Sequence, residues 1–273
     1  MKSFPGGVTA AGDSFENPGA DMKELFLVGI GTGNPEHLTL QAIRALNGAD
    51  IILIPRKGED KAELAETRRM ICAEVLTNSA TRIVEFDLPV RDEATPDYVQ
   101  RVEAWHDAIA AVWAAAIAST PAPNARVALL VWGDPSLYDS TLRIASRLQP
   151  QPKITVIPGI TSLQALTAAH AIPLNDLAAP IAVTTGRKLR ETGWPTGIDR
   201  IAVMLDGECS FSDIAPEGVM IWWGAYVGMP QQAILAGPLA QSALKIIKTR
   251  RELRARYGWI MDIYILQRKM PRI

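Results

Sequence analysis

Three apolar runs early in the chain each end on a glycine turn that opens into helix-spaced sequence. Residues 24–30 lead into Gly29-Ile30-Gly31-Thr32-Gly33, residues 127–131 into Gly133-Asp134-Pro135, and residues 154–157 into Pro158-Gly159-Ile160-Thr161-Ser162. Runs that are continuous rather than alternating fit strands buried on both faces, as in a parallel sheet, and a parallel pair needs a helical crossover between its strands. The pattern therefore predicts an α/β fold with helices on both faces of a mostly parallel sheet. It puts all three turns at the carboxyl edge of that sheet, where open α/β folds bind ligands.

Further strands are expected over residues 51–54 and 82–86, and helices over 38–46, 63–76, 98–118, 140–148 and 162–171. After Ile172-Pro173-Leu174-Asn175-Asp176 the character changes. Short strands follow at 182–185, 200–205, 219–225, 232–236 and 261–266, with one long helix, 239–257. Two domains result: residues 22–174 with a mostly parallel sheet, and residues 180–273 with a mixed one. Residues 1–21 lack the continuous apolar run of a signal peptide and are expected to form a disordered tail.

The first turn invites a dinucleotide reading. That fingerprint, G-x-G-x-x-G, needs its third glycine five residues after the first, so that a pyrophosphate meets a helix N-terminus. Here Gly33 comes one residue early and Asn34 occupies the required position. The second strand also ends on Pro55-Arg56-Lys57 rather than on the acid that would hold ribose hydroxyls, although an arginine there suits a 2′-phosphate.

A chain of 273 residues, 48% of them hydrophobic, can bury one large core or two modest ones. The formal charge of -1 supplies no general attraction to nucleic acid or to an anionic membrane. Cys72 and Cys209 lie far apart, which indicates neither a disulfide framework nor a zinc site and suits a cytoplasmic setting. The longest apolar segment, residues 108–118, is too short to span a bilayer and reads as a buried helix.

With its three turns in order, the chain resembles the tetrapyrrole (corrin/porphyrin) methylase family. The family pattern V-G-x-G-x-G-[DN]-P-x-x-L-T is met from Val28 to Thr39, G-D-P-x-x-Y from Gly133 to Tyr138, and P-G-[IV]-T-S from Pro158 to Ser162. The resemblance extends over residues 23–273. It implies two α/β domains with the active cleft between them, S-adenosyl-L-methionine as cofactor and S-adenosyl-L-homocysteine as product. The implied reaction belongs to cobalamin biosynthesis: methylation of precorrin-5 at ring carbon 1, with water-dependent release of acetate. It also implies a poly-carboxylate tetrapyrrole as partner, without nucleic acid, membrane or metal, and it allows a homodimer. Thr32 stands where many relatives carry proline.

Cofactor contacts implied by the resemblance fall on Thr32, Gly133, Asp134, Pro135, Thr161, Ser162, Leu205, Asp206, Ala236 and Gly237. Gly29, Gly31 and Gly33 would let backbone approach a flat macrocycle. Arg56 and Lys57 would read its carboxylates, with Arg68-Arg69 and Arg187-Lys188 as further basic clusters. Methyl transfer from a sulfonium needs alignment rather than a nucleophilic side chain. Deacetylation is different, because water must add to a ketone-like carbonyl and a base assists. Asp134, Tyr138 and Asp206 are the catalytic candidates, with Glu208 and His170 behind them. His37 and His106 read as structural, and the mixed run Arg250 to Arg256 as surface. Other readings stay open: a methylase of the same fold acting on another precorrin, on ribosomal RNA or on diphthamide, or a non-enzymatic nucleotide-binding module.

Overall fold

The computed structural model describes residues 23–58, 62–92, 94–120, 122 and 124–268; the expected tail at residues 1–21 lies outside them. Strand β1 (Glu24–Gly29) is the fourth strand of a five-stranded sheet. The others are β2 (Ile51–Arg56), β3 (Arg82–Asp87), β4 (Arg126–Val131) and β5 (Lys153–Ile157), in the order β3-β2-β4-β1-β5. Every pairing is parallel. Leu25 and Leu27 face one side of β1, packing with Ile109 and Trp113 of α3 (Tyr98–Ala118) and Ile144 of α4 (Thr141–Ala145). Phe26 and Val28 face the other, toward Leu46 of α1 (Leu40–Asn47) and Ile71 of α2 (Ala62–Val75). A strand buried on both faces explains why the run is apolar without alternation.

Helix starts follow local chemistry. Thr39 caps α1 by accepting from Ala42 N at 3.0 Å, and Asp97 caps α3 by accepting from Gln100 N at 2.8 Å. The helix expected over residues 140–148 is shorter: α4 ends at Ala145. The following bonds, Arg147 N to Ile144 O and Leu148 N to Ala145 O, tighten to i→i−3 ahead of Pro150.

The second sheet holds β6 (Ala182–Thr185), β7 (Arg200–Met204), β8 (Val219–Ala225), β9 (Ala233–Pro238) and β10 (Asp262–Arg268), in the order β6-β7-β10-β8-β9. β6 and β7 run parallel and the remaining pairs antiparallel. α7 (Leu239–Tyr257) packs on β8 and β9. A short helix, α6 (Gly186–Thr192), has no counterpart in the sequence reading, because it opens on glycine and carries one apolar residue, Leu189. Thr185 caps it through Lys188 N.

Helix α5 (Ser162–His170) precedes the change in character at residues 174–180, yet its Leu163, Ala165 and Leu166 pack with Ala202, Ile263 and Ile265 of the second sheet and with Val227 in the turn after β8. The hydrophobic unit of that sheet thus reaches back to the turn after β5. Gly224 makes the approach possible, since a Cβ there would stand 2.7 Å from Leu166 Cδ1. Leu166 is fully buried, so Leu166→Ala should destabilise the protein by about 2–5 kcal/mol in a denaturant titration. A cost below about 1 kcal/mol would mean that this helix is not part of the second core. Among the described residues no helix is long and apolar enough to cross a membrane.

Candidate active site

β4, β1 and β5 are adjacent and parallel, so their three turns emerge side by side. Hydrogen bonds then tie them into one unit. Gly31 N donates to Gly133 O at 3.3 Å and Gly133 N to Gly31 O at 2.7 Å, while Asp134 Oδ2 accepts from Gly159 N at 2.9 Å. Backbone contact is also close at Gly29: a Cβ on it would stand 2.6 Å from Gly159 N and 2.8 Å from Gly133 O. The first loop's glycine is thus demanded by its neighbouring loops and not by a pyrophosphate.

Beside this unit a cavity of about 520 Å³ opens between the two sheets. This lies within the ~300–1,000 Å³ typical of small-molecule sites. Of the residues singled out in the sequence, Gly31, Thr32, Gly133, Asp134, Tyr138, Thr161, Ser162, Leu205 and Asp206 line it. Gly29, Gly33, Pro135, Ala236, Gly237, Arg56 and Lys57 do not. Gly33 packs near Trp132, Met229 and Thr67. Ala236 and Gly237 lie inside β9, opposite Trp222 and Ile221, because the strand runs on to Pro238 instead of ending at 236. Arg56 donates to both carboxylate oxygens of Asp87 at 2.9 and 2.8 Å, its register partner on β3, and Lys57 Nζ lies 5.8 Å from the centre of the Trp105 ring.

Wall electrostatics come from committed groups. Burial alone would raise the Asp134 carboxyl, but donors from Ser136 and Gly159 hold it below the usual range, so it stays ionised. Asp206 is 6% exposed; its oxygens accept from Ser210 N at 2.6 Å, Ser210 Oγ and Tyr264 OH at 2.7 Å each, and Glu208 N at 3.1 Å. Burial and this carboxylate together drive the Tyr264 phenol far above its ordinary range. Tyr138 adopts a left-handed backbone, φ +50°, and its hydroxyl donates to Val183 O of β6 at 3.0 Å, bridging the two sheets. Burial pushes its phenol upward.

Several wall residues escaped the sequence reading. Arg250, which sat in a run that reads as surface, is buried and donates to Asp262 at 2.8 Å, and both line the cavity. Its helical spacing from Ile246, Leu253 and Tyr257 was the signal that it lies on the inward stripe. Tyr226, its backbone at φ +50°, donates to Trp259 O at 2.8 Å, and burial followed by the charge of Glu63 pushes its phenol up to about 12. Apolar wall comes from Leu137, Met204, Val227 and Leu205, the last 66% exposed.

An open edge of glycine turns, an apolar flank and fixed carboxylates make a cleft suited to a flat, partly charged nucleoside. The profile of the Tetrapyrrole (Corrin/Porphyrin) Methylases matches residues 24–243, and the chain belongs to that family. It is 46% identical over 253 residues to a Sinorhizobium protein named Precorrin-6A synthase [deacetylating], covering 91% of this chain and 97% of that one. The solved structure of a cobalamin synthesis related protein (CobF) from Corynebacterium diphtheriae superposes with a TM-score of 0.77 at 36% identity, covering 90% of this chain and 99% of that one. A uroporphyrin-III C-methyl transferase from Thermus thermophilus, solved with S-adenyl homocysteine, shares the fold at a TM-score of 0.54 and 18% identity, covering 89% of this chain and 97% of that one.

Proposed function

We propose that this protein is an S-adenosylmethionine-dependent C-methyltransferase of cobalamin biosynthesis that converts precorrin-5 to precorrin-6A, methylating ring carbon 1 and releasing acetate. The full-length match to the deacetylating relative carries this reading. The chain covers 97% of that protein, against 72% of a Precorrin-2 C(20)-methyltransferase that is 30% identical to it. The cytoplasm is the proposed setting and the poly-carboxylate macrocycle the proposed partner, with a homodimer allowed.

The cavity's residues fit the cofactor. Backbone at Gly133 and at Thr161-Ser162 borders one side, and Leu205 with Val227 offers apolar surface for an adenine. Asp134, held ionised by its donors, places negative charge on a wall that would face a cationic sulfur. When bound, adenosylmethionine supplies a methyl group open to in-line displacement. The chain's own contribution to that transfer is alignment, which can lower a barrier by several kcal/mol without any covalent step. Thr32, Gly133, Asp134, Thr161, Ser162, Leu205 and Asp206 are accordingly proposed as cofactor contacts, with Gly31 bordering the acceptor.

Calorimetry should show binding of S-adenosylhomocysteine and none of NAD or NADP, and incubation with methyl-labelled adenosylmethionine and precorrin-5 should give a product that has gained the label and lost its acetyl group by mass spectrometry. Binding of NADP without the homocysteine nucleoside would overturn the cofactor. Methyl transfer to another precorrin, with precorrin-5 left untouched, would overturn the acceptor.

A further inference from the structure

Deacetylation needs a base, and the obvious carboxylates are occupied. Asp134 braces Ser136 and Gly159, and Asp206 is saturated by donors. His170 Nε2 is engaged with Trp223 O at 3.0 Å, Glu208 does not line the cavity, and a phenol raised by burial, as at Tyr138, is protonated at neutral pH. Asp139 on the wall is tied to Thr141 N at 2.6 Å.

One pair has the required chemistry. Thr32 lines the cavity, and its Oγ1 lies 2.9 Å from Nδ1 of His37. Among the described residues of the cavity wall, it is the one hydroxyl bonded to an imidazole. The fold makes room for His37 at two glycines, for its Cβ and backbone at Gly31 and for its ring at Gly228. A Cβ on Gly31 would stand 2.7 Å from His37 Cβ, and one on Gly228 would collide with His37 Cε1 and stand 2.7 Å from Thr32 Oγ1. His37 itself ends a short 3-10 turn, Pro35–His37, whose start is capped by the Asn34 side chain on Glu36 N at 3.0 Å. The imidazole is thus held by the first loop on one side and by a loop of the second sheet on the other. Such preorganisation of a hydroxyl–imidazole pair is what proton transfer from a bound water requires.

Resting on the proposed reaction, we infer that Thr32 and His37 form the proton relay for deacetylation. Thr32 Oγ1 takes a proton from water as its own passes to His37 Nδ1, in the tautomer that carries hydrogen on Nε2. The hydroxide so formed adds to the acetyl carbonyl. Collapse of the adduct breaks the bond between acyl and ring carbons, leaving its electron pair on the ring carbon, and acetic acid departs and ionises. The ring carbon then forms its bond to the sulfonium methyl, and the methyl–sulfur electron pair stays on sulfur. Water, acyl group and methyl are consumed, and acetate, methylated ring, thioether and two protons result.

The test measures acetate release, methyl transfer and S-adenosylhomocysteine affinity on the full chain. Thr32→Val and His37→Asn should each slow acetate release by about 100-fold or more, the lower range for general-base catalysis, and His37→Asn, outside the cavity wall, should keep homocysteine-nucleoside affinity within about threefold of wild type. Thr32→Ser, which keeps the hydroxyl, should recover most of the rate, and added imidazole should partly restore His37→Ala, a response that a packing role does not produce. Acetate release within a few-fold of wild type in both Thr32→Val and His37→Asn would overturn the relay, and so would losses that imidazole and Thr32→Ser fail to restore. A wild-type protein that transfers methyl without releasing acetate would overturn the relay and the deacetylation while sparing the methylase reading. One that does neither would overturn the proposed function as well.

Discussion

Gly159→Ala should cost about 3 kcal/mol or more in denaturant titration and abolish measurable S-adenosylhomocysteine binding. The added Cβ would collide with the carbonyl oxygen of Gly133 and stand 2.8 Å from the carbonyl carbon of Gly29. Both obstacles are backbone at the ends of β4 and β1, which the parallel ladder holds in register from Glu24 opposite Arg126 to Gly29 opposite Val131. With no flexible side chain to yield, the loops themselves must part. That breaks the Gly31–Gly133 bridge and the bond from Gly159 N to Asp134, so the effect lies at or beyond the upper end of the ~1–3 kcal/mol usual for overpacking. Gly197 makes a sharp comparison. A Cβ there meets nothing within 4 Å, but φ is +73°, so Gly197→Ala should cost only the ~1–2 kcal/mol of a left-handed non-glycine residue and leave binding intact. Equal losses in the two variants would refute the idea that close backbone approach is what the turn glycines are for.

The alternation of apolar runs and glycine turns made the first sheet legible because each strand announces itself locally. β1 is buried on both faces and needs no partner to be read, and α3, bounded by Asp97 and the Ala-rich end at Ala118, obeys its own cap and composition. The candidate site was legible where it is made of those same turns and at Leu205-Asp206 just after β7. Arg56 is followed by lysine and sits at a strand end, which looks like an anion clamp. Its partner Asp87 becomes a neighbour only through the β2–β3 register, a contact that spacing along the chain does not encode. The end of β9 is set for a related reason, since pairing with β8 extends the strand through Gly237 to Pro238, two residues beyond the end expected at 236. Thr32 and His37 were both visible, yet their pairing depends on the short turn at Pro35 and on room left by Gly228, nearly two hundred residues away in sequence.

Asp206→Ala should destabilise the protein by about 3–5 kcal/mol, the range for removing one partner from a buried charged network. Its side chain is 3% exposed, and the substitution strips acceptors from the backbone N–H and hydroxyl of Ser210, the hydroxyl of Tyr264 and the guanidinium of Arg190, which lies 3.4 Å away. Neither Ser210 nor Tyr264 has water in reach to replace them, as both are 1% exposed. Gly186 shows how closely the carboxylate is held: a Cβ on that residue would stand 2.6 Å from Asp206 Cβ. Asp206→Asn keeps the shape but turns one acceptor into a donor facing other donors, so it should lose about 1–3 kcal/mol. These values separate bracing from catalysis. If Asp206 were the base that activates water, the asparagine variant would keep most of its stability and its cofactor affinity while acetate release fell by about 100-fold or more. If it is a brace, acetate release per folded molecule should stay within about tenfold of wild type, with the loss appearing instead in the denaturation midpoint. Measuring both quantities on the same preparation decides between the two roles, because only the second leaves the work of proton transfer to Thr32 and His37.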